Sequence, residues 1–477
     1  MKFYYPTLAA LFTLASANDL HARHAQLAHN KRQNNLAATG ATTSSAPPTP
    51  PAGTSASAPA APPQITTTPL GPGTDIPPLA SIVSGAPPEA TAALTATFSP
   101  GQKPTYSGAL PLPSTFVFRQ GDWPTSDVVP DTTTPQVQAW MQELNGFNIP
   151  NIPPTADGTC VGDPTAASDA ANRGWWTCGG FTRVTDIVAC PNKLTWGVSF
   201  DDGPSDYSTK LLDFLGQKSL QATFFVVGSR VIERPQVLLE EYMSGHEISV
   251  HTWSHRPLTK LTNEQVVAEL GWTRKAIQAV LGVTPTTMRP PYGDIDDRVR
   301  AISMAMGMTP IIWTRSPSGQ QFDTNDWRVP GGLVNGTDSL TSFQQILGNA
   351  TQLDTGFVVL QHDLFQQTVD LAVGYSLPAA LSFQPQLTLE PIGKCQGWPA
   401  SNLYLETTTN TTFPFTNSTI SSNATTTNPA RASAAATGAA HGGSGGGSSS
   451  GALGSLSSGV SFLVAAALAL VGGLLVV

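Results

Sequence analysis

From residue 194 onward, short apolar runs rich in β-branched residues alternate with longer segments whose apolar positions recur at helical spacing. A short apolar run bounded by turn residues indicates a buried strand, whereas recurrence every three or four residues indicates a helix that packs one face. Alternation of the two predicts parallel strands covered by helices. The runs that predict strands are 194–200, 222–227, 247–252, 286–289, 309–313, 356–361 and 386–391.

Helical segments separate these runs, and some carry recognisable ends. Ser205 suits the N-cap of segment 206–218, and Gly282 follows segment 264–281 as a C-terminal stop. Seven strands with helices between them predict an α/β fold, a distorted (β/α)7 barrel-like domain. An open doubly wound sheet is the alternative. The other helical segments are 135–144, 234–243, 297–306, 339–347 and 369–381.

Composition divides the chain. Segment 34–115 is dominated by Ala, Thr, Ser and Pro, and segment 405–459 by Thr, Asn, Ser, Gly and Ala. Neither has enough large apolar side chains to offset the entropy of ordering its backbone. The predicted order is therefore a low-complexity segment 18–115, an extension 116–189 packing on the barrel, a folded domain 190–400 and a glycosylated stalk 401–450.

Both ends carry targeting patterns. Segment 1–17 has Lys2, a short apolar run and a small-residue end at Ala17, which predicts a cleaved signal peptide. The apolar end of segment 451–477 follows a Gly/Ser-rich spacer, which is typical of a GPI-anchor signal, with attachment expected near Ser448. A single transmembrane helix is the alternative for this end.

The remaining surface signals agree with export. Acceptor sequences for N-linked glycans occur at Asn335, Asn349, Asn410, Asn417 and Asn423. The formal net charge is −8, and no dense Lys/Arg cluster is present, so a nucleic-acid partner is not expected.

Four cysteines in an oxidising compartment predict two disulfides, for which three pairings are possible. Cys190 precedes the first predicted strand and Cys395 follows the last, and these ends are neighbours in a closed barrel. This favours Cys190–Cys395 together with Cys160–Cys178. A zinc site is the alternative, but the chain has no Cys-x2-Cys spacing.

Two polar motifs follow the first and third predicted strands. Asp201 and Asp202 precede a Gly-Pro turn, and only a bent backbone lets two successive carboxylates reach one place. His251 and His255 have a spacing that recurs among metal ligands. Asp202 with these imidazoles would leave coordination positions open, as catalytic metal sites require. A solvated acidic turn and an ordinary polar histidine pair are the alternatives.

Three further motifs lie at or after later strands. Segment 289–293 holds Arg289, which can orient a carboxylate, and Tyr292, whose backbone N–H can stabilise an oxyanion. A plain turn is its alternative. Segment 323–327 places acids beside an aromatic residue, and His362 ends an apolar run, where a satisfied core histidine is the alternative. In barrels, catalytic groups gather at the C-terminal ends of strands.

Read together and in this order, the five motifs resemble those of the polysaccharide deacetylases, carbohydrate esterase family 4. The resemblance spans about residues 190 to 395, which makes segment 190–400 the expected deacetylase domain. Ser199 stands where the family often has threonine. The motifs are residues 199–204, 251–255, 289–293, 323–327 and 360–362.

The resemblance implies a metal site with a base beside it. Asp202, His251 and His255 match the metal ligands. Asp201 matches the general base, and Arg289 matches the residue that pairs with this base.

The resemblance also implies the acid and the walls of the site. His362 matches the general acid, and Asp326 matches its partner. Tyr292 matches the oxyanion donor. Trp327 and Leu360 would line the acetyl pocket.

The activity implied is metal-dependent hydrolysis of N-acetyl groups, with chitin as the leading substrate and chitosan and acetate as products. Zn²⁺ is the first choice, while Co²⁺ or Mn²⁺ also suit such ligands. The targeting signals and stalks resemble those of fungal wall enzymes, and they predict a secreted monomer anchored at the cell membrane or wall. The alternatives are deacetylation of peptidoglycan or xylan, and a non-catalytic wall protein on the same fold.

Overall fold

The computed structural model of the protein describes residues 76–94 and 96–411. The predicted signal peptide, Asn417, Asn423 and Ser448 lie outside these residues. No helix within residues 76–94 and 96–411 has both the length and the apolar character that crossing a membrane requires. The strands are β1 (Thr195–Gly197), β2 (Ser199–Asp201), β3 (Thr223–Val226), β4 (Glu247–Val250), β5 (Thr287–Met288), β6 (Thr309–Pro310), β7 (Phe357–Val358) and β8 (Thr388–Glu390).

These strands form two parallel sheets, with orders β7-β1-β8 and β2-β3-β4-β5-β6. The predicted strand 194–200 is divided between them, because β1 pairs with β7 and β8 whereas β2 pairs with β3. Val198 joins the two halves. Its N–H donates to the Glu390 carbonyl and its own carbonyl accepts from the Thr223 N–H, both at 2.9 Å.

Hydrogen bonds close the two sheets into a ring. Beyond β6, the Thr314 N–H donates to the Val358 carbonyl of β7 at 3.0 Å. On the other side, the Asp201 N–H of β2 donates to the Gln361 carbonyl, also at 3.0 Å. The segment around β7 therefore lies between the last and first strands of the larger sheet. This confirms the barrel-like α/β prediction over the open sheet.

Helices cover this ring on the outside. The α-helices within the described residues are α1 (Pro135–Met141), α2 (Pro164–Ser168), α3 (Ala170–Arg173), α4 (Ser208–Gln217), α5 (Gly228–Glu233), α6 (Pro235–Met243), α7 (Asn263–Leu281), α8 (Asp297–Ala305), α9 (Gly336–Ala350), α10 (Gln366–Leu371), α11 (Leu377–Ser382) and α12 (Ile392–Cys395). The longest, α7, has a capping box between Thr262 and Gln265 and stops at Gly282, whose φ is 78°.

Some helix ends differ from the prediction. Ser205 lies three residues before α4, but its hydroxyl still accepts the N–H groups of Tyr207 and Ser208, at 3.0 and 3.2 Å. The predicted segment 369–381 is α10, a π-helical turn and α11 in succession. Helix α5 was not predicted, because six residues are too few to show a periodic pattern.

The core joins the strands to the helices through large aromatic side chains. Trp196 and Phe200 on the first strands, and Phe224 on β3, are at most 1% exposed. Trp196 packs against Phe343 of α9 and Phe357 of β7, with ring centroids 5.3 and 6.2 Å apart. Burial of each such ring contributes about 2 kcal/mol or more to the free energy of unfolding. The strands are therefore held firmly, and the loops at their ends start from fixed positions.

Part of the Ala/Pro-rich segment packs on the domain, which differs from the sequence expectation for 34–115. Ile82 is 1% exposed and belongs to a small apolar cluster with Val329, Leu340 and Tyr375. Glu89 forms an ion pair with Lys210 of α4 at 2.9 Å. A few apolar and charged side chains therefore hold residues 76–94 against the domain.

The structure contains both favoured disulfides, Cys160–Cys178 and Cys190–Cys395. The second joins the residue before β1 to the last residue of α12, so it links the two ends of the barrel segment. Among the described glycan acceptors, Asn335 and Asn410 are exposed and Asn349 is half-buried. Asn335 caps α9 through its side-chain oxygen, which leaves its amide nitrogen free of that cap.

Candidate active site

One cavity of about 220 Å³ receives side chains from all five motifs. It lies where the strands end, so loops far apart in the chain reach it together. The motif residues that line it are Asp201, Asp202, His251, His255, Tyr292, Asp323, Trp327, Leu360 and His362.

Asp202, His251 and His255 bring one ligand atom each within 4.8 Å of one another. The Nε2 atoms of His255 and His251 lie 3.0 and 3.4 Å from Asp202 Oδ1. A tetrahedral ion with bonds of about 2.0–2.2 Å separates its ligand atoms by roughly 3.3–3.6 Å, so these separations suit a single ion.

The chemical state of these three residues also fits a metal ion. Asp202 Oδ1 is buried and has no hydrogen-bond donor of acceptable geometry among the described residues. Burial lowers the pKa of His255 despite the nearby Asp202 carboxylate, so its imidazole is neutral, as a ligand must be. The His251 Nδ1 lies 2.8 Å from the Arg289 carbonyl, which can only accept. That contact puts the proton on Nδ1 and leaves Nε2 free to bind.

The backbone bends sharply at Asp202, directly after β2. Its φ is 81°, in the left-handed region that a residue with a side chain seldom occupies. Its N–H donates to the Phe225 carbonyl at 3.1 Å, and its carbonyl accepts from Arg230 Nη1 at 2.6 Å. These contacts hold the bend, which lets the successive carboxylates of Asp201 and Asp202 face one cavity.

The histidine loop is held by a buried glutamate. Glu269 of α7 accepts the Trp253 and Ser254 N–H groups, both at 2.8 Å, and also the Ser254 hydroxyl. Thr252 and His255 have φ values of 68° and 54°, so the loop contains two left-handed residues. Glu269 is 0% exposed, and burial raises its pKa to about 7.

Asp201 lies between a cation and the ligand group. Arg289 Nη1 donates to Asp201 Oδ1 at 2.6 Å, and both side chains are at most 1% exposed. The other oxygen, Oδ2, is 3.9 Å from His251 Nε2. One carboxylate oxygen is therefore bound by Arg289, while the other faces the place where an ion and a water would meet.

His362 lines the same cavity and is hydrogen-bonded to Asp326. Its Nδ1 is 2.8 Å from Asp326 Oδ1, and its backbone N–H donates to Asp326 Oδ2 at 2.8 Å. Burial acts to lower the pKa of His362, but the carboxylates of Asp326, Asp202 and Asp201 outweigh it and raise the pKa to about 10. The raised pKa favours the protonated ring, in which Nε2 is the N–H that would donate into the cavity.

Tyr292 has φ 61° and ψ 9°, and its ring centroid is 4.7 Å from that of His255. Trp327 and Leu360 form apolar walls of the same cavity. The structure therefore brings every sequence-predicted catalytic and binding residue to one place, with Arg289 and Asp326 directly behind them.

Four residues that line the cavity lie outside the five sequence motifs. Trp176, Thr177, Trp313 and Gln321 also line it. The Trp175–Trp176 pair is conspicuous in the sequence because it lies between two cysteines, but nothing in this pattern indicates that it lines the cavity. Glu269 gave no signal, because an acid within a helix is usually a solvent-exposed residue.

Comparisons with known proteins bear on this site. The sequence profile of the family described as "Polysaccharide deacetylase" matches residues 189–311. Chitin deacetylase 1 of Cryptococcus neoformans var. grubii is 52% identical over 352 residues, which are 73% of this chain and 74% of that protein. Chitin deacetylase 2 of the same organism is 36% identical over 279 residues, 56% of this chain and 59% of that protein. The solved structure of the peptidoglycan deacetylase PdaC from Bacillus subtilis is 29% identical in sequence. The match covers 43% of this chain and 92% of that protein's chain, with a TM-score of 0.36.

Proposed function

The chain belongs to the polysaccharide deacetylase family, and from this premise we propose that it hydrolyses the N-acetyl groups of chitin, giving chitosan and acetate. One observation carries the proposal. Three side chains that could hold a metal ion line a single cavity together with Asp201, which pairs with Arg289, and His362, which pairs with Asp326. The substrate follows from the similarity to chitin deacetylases at 52% and 36% identity.

The metal ion that Asp202, His251 and His255 would hold polarises a carbonyl group and makes water more acidic. Zn²⁺ fits this donor set best, and Co²⁺ or Mn²⁺ are the alternatives. Three protein ligands would leave coordination positions for water and substrate.

The residues of the chain divide the reaction between them. Asp201 Oδ2 takes a proton from the attacking water, whose oxygen bonds to the acetyl carbon. The Tyr292 N–H donates to the oxygen that becomes negative. The C–N bond then breaks, and His362 Nε2 gives its proton to the leaving amine. Arg289 and Asp326 keep these two groups oriented.

Trp327 and Leu360 would enclose the acetyl methyl group. Both line the same cavity as His362 and present apolar surface to it. An apolar wall next to the reacting carbonyl excludes water other than the attacking one, and it strengthens the polar contacts within the site.

We place the enzyme outside the cell, as a monomer anchored by a GPI lipid at the membrane or wall. The support is the signal-peptide pattern of segment 1–17 and the anchor pattern around Ser448. N-linked glycans are proposed at Asn335, Asn349 and Asn410 and, beyond the described residues, at Asn417 and Asn423.

Mass spectrometry of a chitin oligomer, incubated with the protein with and without a chelator, tests the function. We expect stepwise loss of acetyl groups, which stops with chelator and resumes when Zn²⁺ is added. Acetylated xylan and peptidoglycan fragments run in parallel give the substrate class. Faster acetate release from either of these would assign the enzyme to that glycan. No release from any substrate with any divalent ion would favour the non-catalytic wall protein.

A further inference from the structure

Part of the cavity wall comes from residues that precede the family match in the chain. Trp176 and Thr177 line it together with the catalytic groups, and both precede residue 189, where the matching profile begins. They belong to the extension predicted for 116–189. The structure thus places the extension within the site.

Trp176 packs against the turn that carries Tyr292. Its backbone N–H donates to the Ile295 carbonyl at 3.0 Å, and its ring packs edge-on against the Trp313 ring, with ring centroids 4.7 Å apart. A Cβ placed on Gly293 would collide with the Trp176 ring and lie 2.9 Å from the Trp313 ring. Only glycine fits there, so the two rings press directly on the backbone next to Tyr292.

A second tie runs through Asp294, which is 0% exposed. Its Oδ1 accepts from Trp175 Nε1 at 2.8 Å and from the Thr177 hydroxyl at 2.9 Å. Its Oδ2 accepts the Thr259 N–H and hydroxyl, at 2.9 and 2.7 Å. One carboxylate therefore joins the extension, the segment after the histidine motif and the Tyr292 turn.

The Tyr292 turn needs such support. A residue with a side chain at φ 61° is held in an unfavourable backbone conformation that persists only when its surroundings impose it. The direction of the Tyr292 N–H follows from this conformation. The disulfide Cys160–Cys178 closes the chain directly after Thr177 and so keeps the supporting residues in place.

We propose that the extension takes part in the active site, in which Trp176 positions the Tyr292 backbone amide through its contact with Gly293, while Trp175 and Thr177 hold the same turn through Asp294. Trp176 is a positioning residue, whereas the Tyr292 N–H is the group that meets the substrate. The catalytic part of this inference rests on the proposed deacetylase function. The positioning part does not, because it concerns only the packing around the turn.

The test compares the full-length protein with Trp176→Ala and Trp176→Phe, using Trp140→Ala as the matched control. Trp140 belongs to the same extension but packs on Gly271 and Trp272 of α7. Hydrogen exchange of the amides in 292–295, kcat and KM on a chitin oligomer, and the Zn²⁺ dissociation constant are measured for each folded variant.

For Trp176→Ala we expect about 10-fold faster hydrogen exchange of the amides in 292–295. We also expect kcat to fall by about 10- to 100-fold, because complete loss of an oxyanion donor lowers kcat by about 10²–10³-fold and here the donor is only displaced. Zn²⁺ affinity stays unchanged, Trp176→Phe recovers part of kcat, and Trp140→Ala keeps both kcat and slow exchange in 292–295. If Trp176→Ala does not fold, Trp176→Phe and Asp294→Asn are expected to show the same effects in smaller degree.

Unchanged exchange and kcat in the folded Trp176 variants would overturn the inference, as would equal losses in Trp140→Ala. A wild-type protein that releases no acetate, together with faster exchange in Trp176→Ala, would refute the proposed function and leave the positioning intact.

Discussion

Asp201 has two different neighbours, and its chemistry depends on both. Arg289 binds Oδ1 at 2.6 Å, while Oδ2 faces the ligand group. Asp201→Asn keeps the shape of the side chain but removes its ability to take a proton. We expect kcat to fall by about 10²–10⁴-fold.

Two measurements check this prediction for Asp201. Metal affinity should change little, since the ligand set is intact, and the exposed Asp354→Asn variant should retain full activity. An Asp201→Asn protein with near-normal acetate release would remove the base assignment.

Glu269 binds no metal in this arrangement, yet it holds the histidine loop by three hydrogen bonds. In Glu269→Gln the side-chain NH2 group replaces one of the two acceptor oxygens. At least one of the buried N–H and hydroxyl donors of Trp253 and Ser254 then loses its acceptor. We expect Zn²⁺ affinity to weaken about 10- to 100-fold, as is typical when a partner behind a ligand is lost. Competition with a chromogenic chelator measures it.

The matched control for Glu269 is Glu264→Gln, at an exposed position of the same helix. Equal Zn²⁺ affinity in both variants would show that Glu269 does not support the loop.

His246 gives a pH dependence outside the active site. Burial lowers its pKa to about 4 from an ordinary 6.5. Between these two values the unfolded chain binds more protons than the folded one, so stability falls as the pH falls through this range and levels off below it. The full effect is about 3 kcal/mol.

His246→Gln is therefore expected to lose less stability than wild type between pH 7 and pH 4. Urea unfolding at both pH values checks this. The same acid-induced loss in the variant and in wild type would assign the effect to other groups.

At the scale of elements, the hydrophobic pattern located every strand but overestimated most lengths. The predicted run 286–289, for example, is only β5, Thr287–Met288. Apolar runs report burial, and a buried residue next to a strand is as apolar as one within it. Pairing partners decide where a strand begins and ends, and these come from other parts of the chain.

The two disulfides close loops of very different length, with sequence separations of 18 and 205 residues. In the chain-entropy account they restrict the unfolded state by about 3 and about 5 kcal/mol. The Cys190→Ser/Cys395→Ser protein should therefore lose more unfolding free energy in denaturant titrations than Cys160→Ser/Cys178→Ser. The reverse order would mean that native-state effects dominate.

At the scale of the whole molecule, the proposed metal site couples folding of the chain to metal binding. Asp202 follows β2 and the two histidines follow β4, and the pairing of both strands with β3 brings the three residues together. Metal should thus bind the folded chain preferentially and stabilise it by about 2.7 kcal/mol at a concentration 100 times its dissociation constant.

Chelation is expected to lower the thermal midpoint of the wild type, and Zn²⁺ should restore it. In Asp202→Ala neither treatment should have an effect. A midpoint that responds equally in both proteins would indicate binding elsewhere.

The sequence alone determined the alternation of strands and helices and the five motifs, because both depend on the type and spacing of residues close in the chain. It also favoured the disulfide pairing, because the first and last strands of a closed barrel are neighbours. Only the tertiary structure decided that Trp176 and Thr177 wall the cavity, that Glu269 holds the histidine loop and that residues 76–94 pack on the domain. These contacts join residues separated by up to hundreds of positions. They depend on shape and on hydrogen-bond direction in three dimensions, which no local pattern records.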